Sequence, residues 1–198
     1  KDGKINENQI IIDRDLGGSC NGNSENCNYS IYTIEKFAIL DELISQRHTF
    51  HFKDNLEVGE LKVGGGKEDS IRVDKNLYIS GNLDITNHAC IAIGGNFIVG
   101  QKILNKNKNK TDIYVYGDFF MTKDQKDTYD FDFHVRGTVY QYDSIHKEIK
   151  EVNRENFGIK NLTNQTTKNC NVTPYNNPDK FIESPLWKLS DDNIINYN

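Results

Sequence analysis

Four aspartates lie close together in the second half of the chain, at Asp124, Asp127, Asp130 and Asp132. Clustered carboxylates can bind Ca²⁺, and a suitably spaced pair can act as general acid and base in the cleavage of a polysaccharide. The Asp-x-Asx-x-Asx-Gly calcium pattern is missing, and no Lys or Arg stands at the spacing of a catalytic base. No nucleophile elbow, phosphate-binding loop or His-Glu-x-x-His segment occurs. The sequence therefore predicts no catalytic residue, no metal site and no cofactor.

A lysine-rich segment just before these aspartates is the second candidate for chemistry. It carries four cations and no acid, at Lys102, Lys106, Lys108 and Lys110. Such a loop could contact phosphate or another anionic polymer, so DNA binding is one hypothesis. The alternative is a solvated excursion between two strands. No aromatic residue alternates with the lysines, so stacking on a single strand is not predicted.

Four cysteines offer redox chemistry. Cys20 and Cys27 enclose a short polar loop, which suits a local disulfide. Cys90 and Cys170 are then left to pair with each other or to remain as free thiols. Unpaired buried thiols throughout are the competing interpretation. No Cys-x-x-Cys or histidine-rich spacing indicates a metal.

A repeat determines how these residues are positioned. Pairs of apolar residues separated by one outward residue begin at Phe50, Ile71, Ile91, Ile113 and Phe133, at intervals of 21, 20, 22 and 20 residues. A second such pair starts six residues after each first pair, at Leu56, Leu77, Phe97, Phe119 and Val139, although the second member of the last pair is the polar Gln141. The apolar pattern of a third strand is recognisable in the first two coils but not in the later ones. This pattern predicts a right-handed, three-faced parallel β-helix of about five coils. An antiparallel sandwich is the main rival, but it would not keep a constant period.

The corner between the paired strands is also in register. Its last residue is short and polar in every coil, at Asn55, Asn76, Asn96, Asp118 and Thr138. Such a side chain can bond to local backbone or to its copy in the next coil. Gly95, Gly117 and Gly137 take the middle position in the last three corners, where we expect a tight turn to require positive φ.

One outward row is unusually apolar. In the second strand of successive coils the outward residue is Glu57 and then Tyr78, Ile98, Phe120 and Tyr140. An exposed ladder of that kind is rare on a monomer. Either the C-terminal tail covers it, helped by a Cys90–Cys170 pair, or it is an interaction face for a partner. The outward histidines of the first strand, His51 and His134, lie four coils apart and cannot share a metal.

The repeat divides the chain into three parts. Residues 1–49 form an N-terminal segment in which residues 33–47 are predicted as an amphipathic capping helix. Residues 50–142 form the solenoid. Residues 143–198 are predicted as a short helix near 144–154 followed by an irregular tail that packs on the solenoid.

Composition limits the functional class. The net charge of −5 is not that of a polycation built for nucleic acid, and no run of about 18 apolar residues predicts a membrane span. The chain begins with Lys rather than Met, so we expect a processed or trimmed fragment from which a signal peptide or N-terminal anchor could have been removed.

The units beginning Leu77-Tyr-Ile-Ser-Gly-Asn, Ile91-Ala-Ile-Gly-Gly-Asn and Ile113-Tyr-Val-Tyr-Gly-Asp resemble two bacterial groups. These are the β-solenoid ectodomains of pilus-associated, minor-pilin-like proteins and, more distantly, the bactofilin-like polymer-forming proteins. The resemblance spans about 90 residues and implies a structural or adhesive role with no catalytic residue. Bactofilins have shorter coils and usually lack cysteines and a long tail, so the chain departs from them.

These observations predict a non-enzymatic extracellular structural or adhesive protein, which is a cell-surface or type IV pilus-associated, minor-pilin-like subunit acting in adhesion or assembly. Its expected partners are other surface or pilus subunits, polysaccharide, or a host surface. The first alternative is an extracellular polysaccharide-binding protein or β-helix lyase using loop 122–132. A weaker alternative is binding of DNA or another anionic polymer through the lysine loop.

Overall fold

The fold is almost entirely β-structure. The computed structural model describes residues 3–6, 9–12, 16–17, 30–45, 48–64, 70–86, 88–105, 111–143, 145–163, 170, 172–175, 187–189 and 195–197. The strands are β1 (Gly3–Asn6), β2 (Gln9–Ile12), β3 (Leu16–Gly17), β4 (Ser30–Ile34), β5 (Phe37–Ser45), β6 (His48–Phe52), β7 (Leu56–Val63), β8 (Ser70–Val73), β9 (Leu77–Ile79), β10 (Leu83–Ile85), β11 (Ala89–Ile93), β12 (Phe97–Val99), β13 (Ile103–Asn105), β14 (Thr111–Val115), β15 (Phe119–Thr122), β16 (Asp132–Val135), β17 (Val139–Asp143), β18 (Glu148–Glu151), β19 (Lys160–Asn161), β20 (Trp187–Leu189) and β21 (Ile195–Tyr197).

Equivalent strands of successive coils pair in parallel, so they stack into columns. The first-strand column runs β4-β6-β8-β11-β14-β16-β19, and the second-strand column runs β5-β7-β9-β12-β15-β17. The end of β7 also pairs in parallel with β10, which pairs with β13. The predicted register holds residue by residue, since Phe50 pairs with Ile71, Ile71 with Ile91, Ile91 with Ile113, and Ile113 with Phe133. The parallel solenoid of about five coils is therefore confirmed.

The core lies inside the stack and is built from the inward residues of strands β5 to β17. Phe97, Phe119 and Phe133 are fully buried and their rings contact one another, with centroids 5.3 Å apart for Phe97–Phe119 and 4.8 Å for Phe119–Phe133. Each such side chain contributes roughly 1.5–3 kcal/mol by leaving water. The inward apolar side chains of each coil are thus buried against those of the next coil, and this burial stabilises the stack.

A continuous polar ladder runs along one corner of the solenoid. The side-chain Oδ1 of Asn76 accepts the backbone N–H of Asn96 at 2.7 Å. The Oδ1 of Asn96 accepts that of Asp118 at 2.8 Å, and the Oδ1 of Asp118 accepts that of Thr138 at 2.7 Å. Of the two bonds that the sequence left open, these side chains form the one to the equivalent residue of the next coil, through its backbone N–H.

The corner glycines are required for a different reason from the predicted one. Among the described residues, the glycines with positive φ are Gly64 and Gly158, so the expectation for Gly95, Gly117 and Gly137 is wrong. A Cβ on each of these three would instead lie 2.3–2.4 Å from the ladder oxygen of the preceding coil. In the second coil, the middle position of the corner is occupied by Lys75 rather than glycine. There the bond from Asn76 N–H to Asn55 Oδ1 is longer than in the later coils, at 3.1 Å. Glycine therefore allows close stacking of the ladder.

The predicted helix at 33–47 is wrong for the residues that the structure describes. Residues 30–34 and 37–45 form β4 and β5, which pair in parallel with β6 and β7. Ala38 and Leu40 face the core beside Leu56 and Val58, which makes this segment one more layer of the stack. The apolar spacing fits a helix as well as two short strands, and the open edge of the first predicted coil favours the strands.

The second predicted helix, near 144–154, is also wrong. Residues 148–151 form β18, which pairs antiparallel with β17, and a short 3₁₀ turn follows at Arg154–Phe157. The Arg154 guanidinium donates to the carbonyl oxygens of Val135 and Gly137, both at 2.6 Å. This segment therefore closes the end of the solenoid by hydrogen bonds to the last coil rather than by a helix.

Candidate functional site

The predicted interaction face on the second-strand column is not bare surface. Tyr78, Ile98 and Phe120 are each about 1% exposed, and Tyr140 is half-buried. The rings of Phe120 and Tyr140 stack with centroids 4.9 Å apart. The row forms its own apolar cluster outside the main core, together with Tyr142 and the partly buried Ile149.

Tyr142 belongs to the part of this cluster that sequence reasoning missed. Its hydroxyl donates to the carbonyl oxygens of Val99 at 3.2 Å and Gly100 at 2.9 Å, which belong to an earlier coil. The hairpin of β17 and β18 carries it there, with Tyr142 opposite Ile149. A tyrosine one step beyond the last repeat, in outward register with Tyr140, is the sequence signal for this contact.

A segment of the C-terminal tail covers the outside of the first-strand column instead. We call it the strap and define it as the described residues Cys170 and 172–175, which follow Leu162 along the chain. Leu162, Cys170 and Val172 pack with Ala92 and Tyr114 in a cluster separate from the main core. The expected position of the tail, over the second-strand row, does not hold for these residues.

A disulfide fastens the strap to the solenoid. Cys90 and Cys170 are bonded with their Cα atoms 5.9 Å apart, across 80 residues of sequence. Cys170 is fully buried, whereas Cys90 is partly exposed. The open choice between a pair and two free thiols is therefore settled for these two cysteines. The predicted Cys20–Cys27 pair lies outside the described residues.

The solenoid surface beneath the strap carries small residues, which allow the strap to approach closely. Ala92 is the one small member of the outward row His51, Arg72, Ala92, Tyr114 and His134. The backbone N–H of Tyr175 donates to the Gly94 carbonyl at 2.8 Å, and a Cβ at Gly94 would lie 2.6 Å from the Thr173 carbonyl oxygen. A small outward residue two places after a cysteine is the sequence signal that could have located the strap.

The candidate residues of the lysine and aspartate loops that the structure describes do not form one site. Lys102 is exposed, and Lys106, Lys108 and Lys110 lie outside the described residues. Of the four aspartates, Asp132 forms an ion pair with Lys160 at 2.5 Å, and Asp124 donates its backbone N–H to the Thr122 hydroxyl.

Loop 122–132 closes the end of the core. Tyr129 from this loop is buried against Phe119 and Phe133, and Phe131 stacks on Phe133. Burial raises the pKa of the Tyr129 hydroxyl far above its usual value. Within the described ranges, no three His, Cys, Asp or Glu side chains come together in a way that could hold a metal.

Several charged side chains among the described residues pair with a neighbouring coil. His51 Nε2 lies 2.8 Å from Asp74 Oδ1, and Lys75 pairs with Asp54 at 2.8 Å. The ring of His134 stacks on Tyr114 with centroids 5.3 Å apart, so the two outward histidines have separate partners. Asp143 accepts from Lys123 at 2.7 Å and contacts His146 at 2.6 Å. The Lys123 bond, followed by the His146 bond, holds the pKa of Asp143 well below its usual range.

No protein-family profile, curated protein or solved structure matches this chain. Among the described residues, no helix has the length and apolar character to cross a membrane.

Proposed function

We propose that this protein is an extracellular structural or adhesive subunit, held on a cell surface or in a pilus-like assembly. The observation that carries the proposal is the disulfide between Cys90 and Cys170. Disulfides persist in oxidising compartments and are rare in a reducing cytosol. The resemblance of the coil units to pilus-associated ectodomains supports the same role.

The polar ladder and the antiparallel terminal strands of the larger sheet support a rigid, discrete subunit. Both terminal strands of the larger sheet, β1 and β18, are antiparallel to their neighbours, so the parallel stacking stops at each end of that sheet. On β18 the exposed residues Glu148, Lys150 and Glu151 place charge beside the outer edge, a feature that discourages strand addition. We therefore expect partners to dock on the sides of the solenoid.

In finer detail, we propose that the stack is a right-handed, three-faced β-helix. The columns of first, second and third strands support three faces, and parallel crossover connections are almost always right-handed.

The test locates the protein and its thiols in the cells that produce it. Intact cells are treated with a membrane-impermeant amine-reactive biotin, and thiols are trapped with iodoacetamide during lysis. We expect biotinylated protein in which Cys90 and Cys170 resist alkylation until reduction. Protein that escapes biotin and carries both cysteines as free thiols would overturn the proposal.

Adhesion or assembly is tested on the same cells. A short amine crosslinker should join the protein to other surface subunits, and deletion of its gene should reduce binding of the cells to a host or polysaccharide-coated surface. If deletion changes neither the crosslinked species nor binding, the role is wrong.

The two alternative functions predicted from the sequence, polysaccharide lyase activity and anionic polymer binding, are tested by separate assays. Incubation with polyuronates and Ca²⁺, followed by the absorbance of unsaturated products, tests lyase activity, and robust turnover would contradict the structural role.

A salt-sensitive gel shift lost when Lys106, Lys108 and Lys110 become Glu would support anionic polymer binding. Absence of a shift at low salt would end that hypothesis.

A further inference from the structure

The strap is held on the solenoid differently from the segment just before it. Upstream, β19 pairs with β16, the Leu162 N–H donates to the Val135 carbonyl, and Arg154 binds the last coil. Downstream, the contacts described for the strap are the disulfide, the Tyr175–Gly94 hydrogen bond and the packing of Cys170 and Val172. The disulfide is thus the covalent attachment of a segment whose upstream anchor is independent of it.

The coils beneath the strap have their own stabilising contacts. Ile91 and Ile93 face the main core, and the hydrogen-bonded ladder of Asn76, Asn96 and Asp118 runs along the corner. The strap cluster of Ala92, Tyr114 and Val172 is separate from that core. Loss of the strap would therefore remove one outer layer and leave the inward contacts of every coil in place.

We propose that the Cys90–Cys170 disulfide is a redox-controlled fastening of the strap, and that reduction uncovers the Ala92–Tyr114 surface while the solenoid stays folded. In the oxidised protein Ala92 is fully buried and Tyr114 is 6% exposed. In the reduced protein these two side chains face solvent and form an apolar surface on the first-strand column. This fastening of the strap does not depend on where the protein is located.

The exchange reaction requires a dithiol reductant. Its thiolate attacks Sγ of Cys90, the partly exposed partner, and the S–S bond breaks so that Cys170 leaves as a thiolate and takes up a proton. The second thiol of the reductant then attacks the mixed disulfide, which releases Cys90 as a thiol. Two electrons and two protons pass to the protein, and the reductant ends as its own disulfide.

The experiment uses the full chain with Cys20 and Cys27 changed to Ser, so that Cys90 and Cys170 are the remaining two of its four cysteines. Amide hydrogen exchange is followed by mass spectrometry before and after treatment with dithiothreitol, a dithiol. The Cys90→Ser/Cys170→Ser variant in the same background provides a second open form that needs no reductant.

We expect peptides covering residues 172–175 to exchange at least tenfold faster once the disulfide is reduced, in both open forms. Peptides containing Asn76, Asn96, Asp118 and Thr138 should exchange at unchanged rates. Unchanged protection of the strap would overturn the proposal, as would resistance of the disulfide to dithiothreitol under native conditions. Loss of protection along the ladder would also overturn it, because the disulfide would then brace the whole solenoid.

Discussion

The Oδ1 atom of Asn96 accepts the backbone N–H of Asp118 at 2.8 Å, one coil further along the solenoid. Asn96 is 1% exposed, so the acceptor of this bond is shielded from water, whereas Asp118 on the donor side is half-buried. A buried N–H left without its acceptor costs more than an ordinary hydrogen bond contributes. The side chains of the ladder therefore stabilise the corner, and their replacement should lower the free energy of unfolding.

Replacement of Asn96 by Ala should destabilise the protein by about 1–3 kcal/mol, because the Asp118 N–H loses its partner inside the corner. Urea unfolding monitored by circular dichroism measures the difference. The matched control is Asn82→Ala at the neighbouring corner, whose Oδ1 accepts the exposed Lys102 N–H at 3.2 Å. A loss at Asn96 no larger than that at Asn82 would contradict the proposed role of burial.

Replacement of Gly117 by Ala should also destabilise the protein, by about 1–3 kcal/mol, because the corner would be overpacked. The new Cβ would lie 2.4 Å from Asn96 Oδ1 and 2.6 Å from the Gly95 carbonyl oxygen. Thermal unfolding of the variant and the parent gives the difference. Lys75→Ala is the control at the equivalent place, where a Cβ is already present, and it should stay within about 1 kcal/mol. Equal stability of Gly117→Ala and the parent would refute the steric argument.

Replacement of Arg154 by Ala should loosen the C-terminal end of the solenoid. The guanidinium donates to two carbonyl oxygens of the last coil, and charged hydrogen bonds of this kind contribute about 1.5–3 kcal/mol each. We expect faster amide exchange around residues 135–139 and a lower midpoint in urea. Lys150→Ala, on the exposed strand β18, serves as the control. Matching exchange rates in the two variants would mean that Arg154 does not hold the C-terminal end of the solenoid together.

The stability of the protein should fall at acid pH partly through Asp143. Its pKa is lowered in the folded protein, so the folded state favours the carboxylate. The contribution is present above the ordinary aspartate pKa of about 4 and is lost as the pH falls below it. Asp143→Asn should therefore flatten the dependence of unfolding free energy on pH below about 4. Asp127→Asn, at an exposed loop position, is the control, and identical pH profiles for Asp143→Asn and the parent would disprove the assignment.

Much of the fold could be predicted because each coil repeats the same local rule. The inward pairs starting at Ile71, Ile91 and Ile113 fixed the register, and Asn76 and Asn96 marked the corner. The prediction of a helix at residues 33–47 is wrong for the described residues 33–45, whose apolar spacing suits a helix and a strand pair equally. The neighbouring strands β6 and β7, whose free edges need partners, decide between them.

The amino-acid sequence by itself determined the coil, its period and the polar ladder, because those features depend on contacts between residues at a constant separation. Only the tertiary structure decided which face the tail covers and whether the outward row of Tyr78, Ile98 and Phe120 is exposed. The strap has no repeat, so its position depends on local complementarity. The small side chain of Ala92 leaves room for Val172, and Cys90 lies within bonding distance of Cys170.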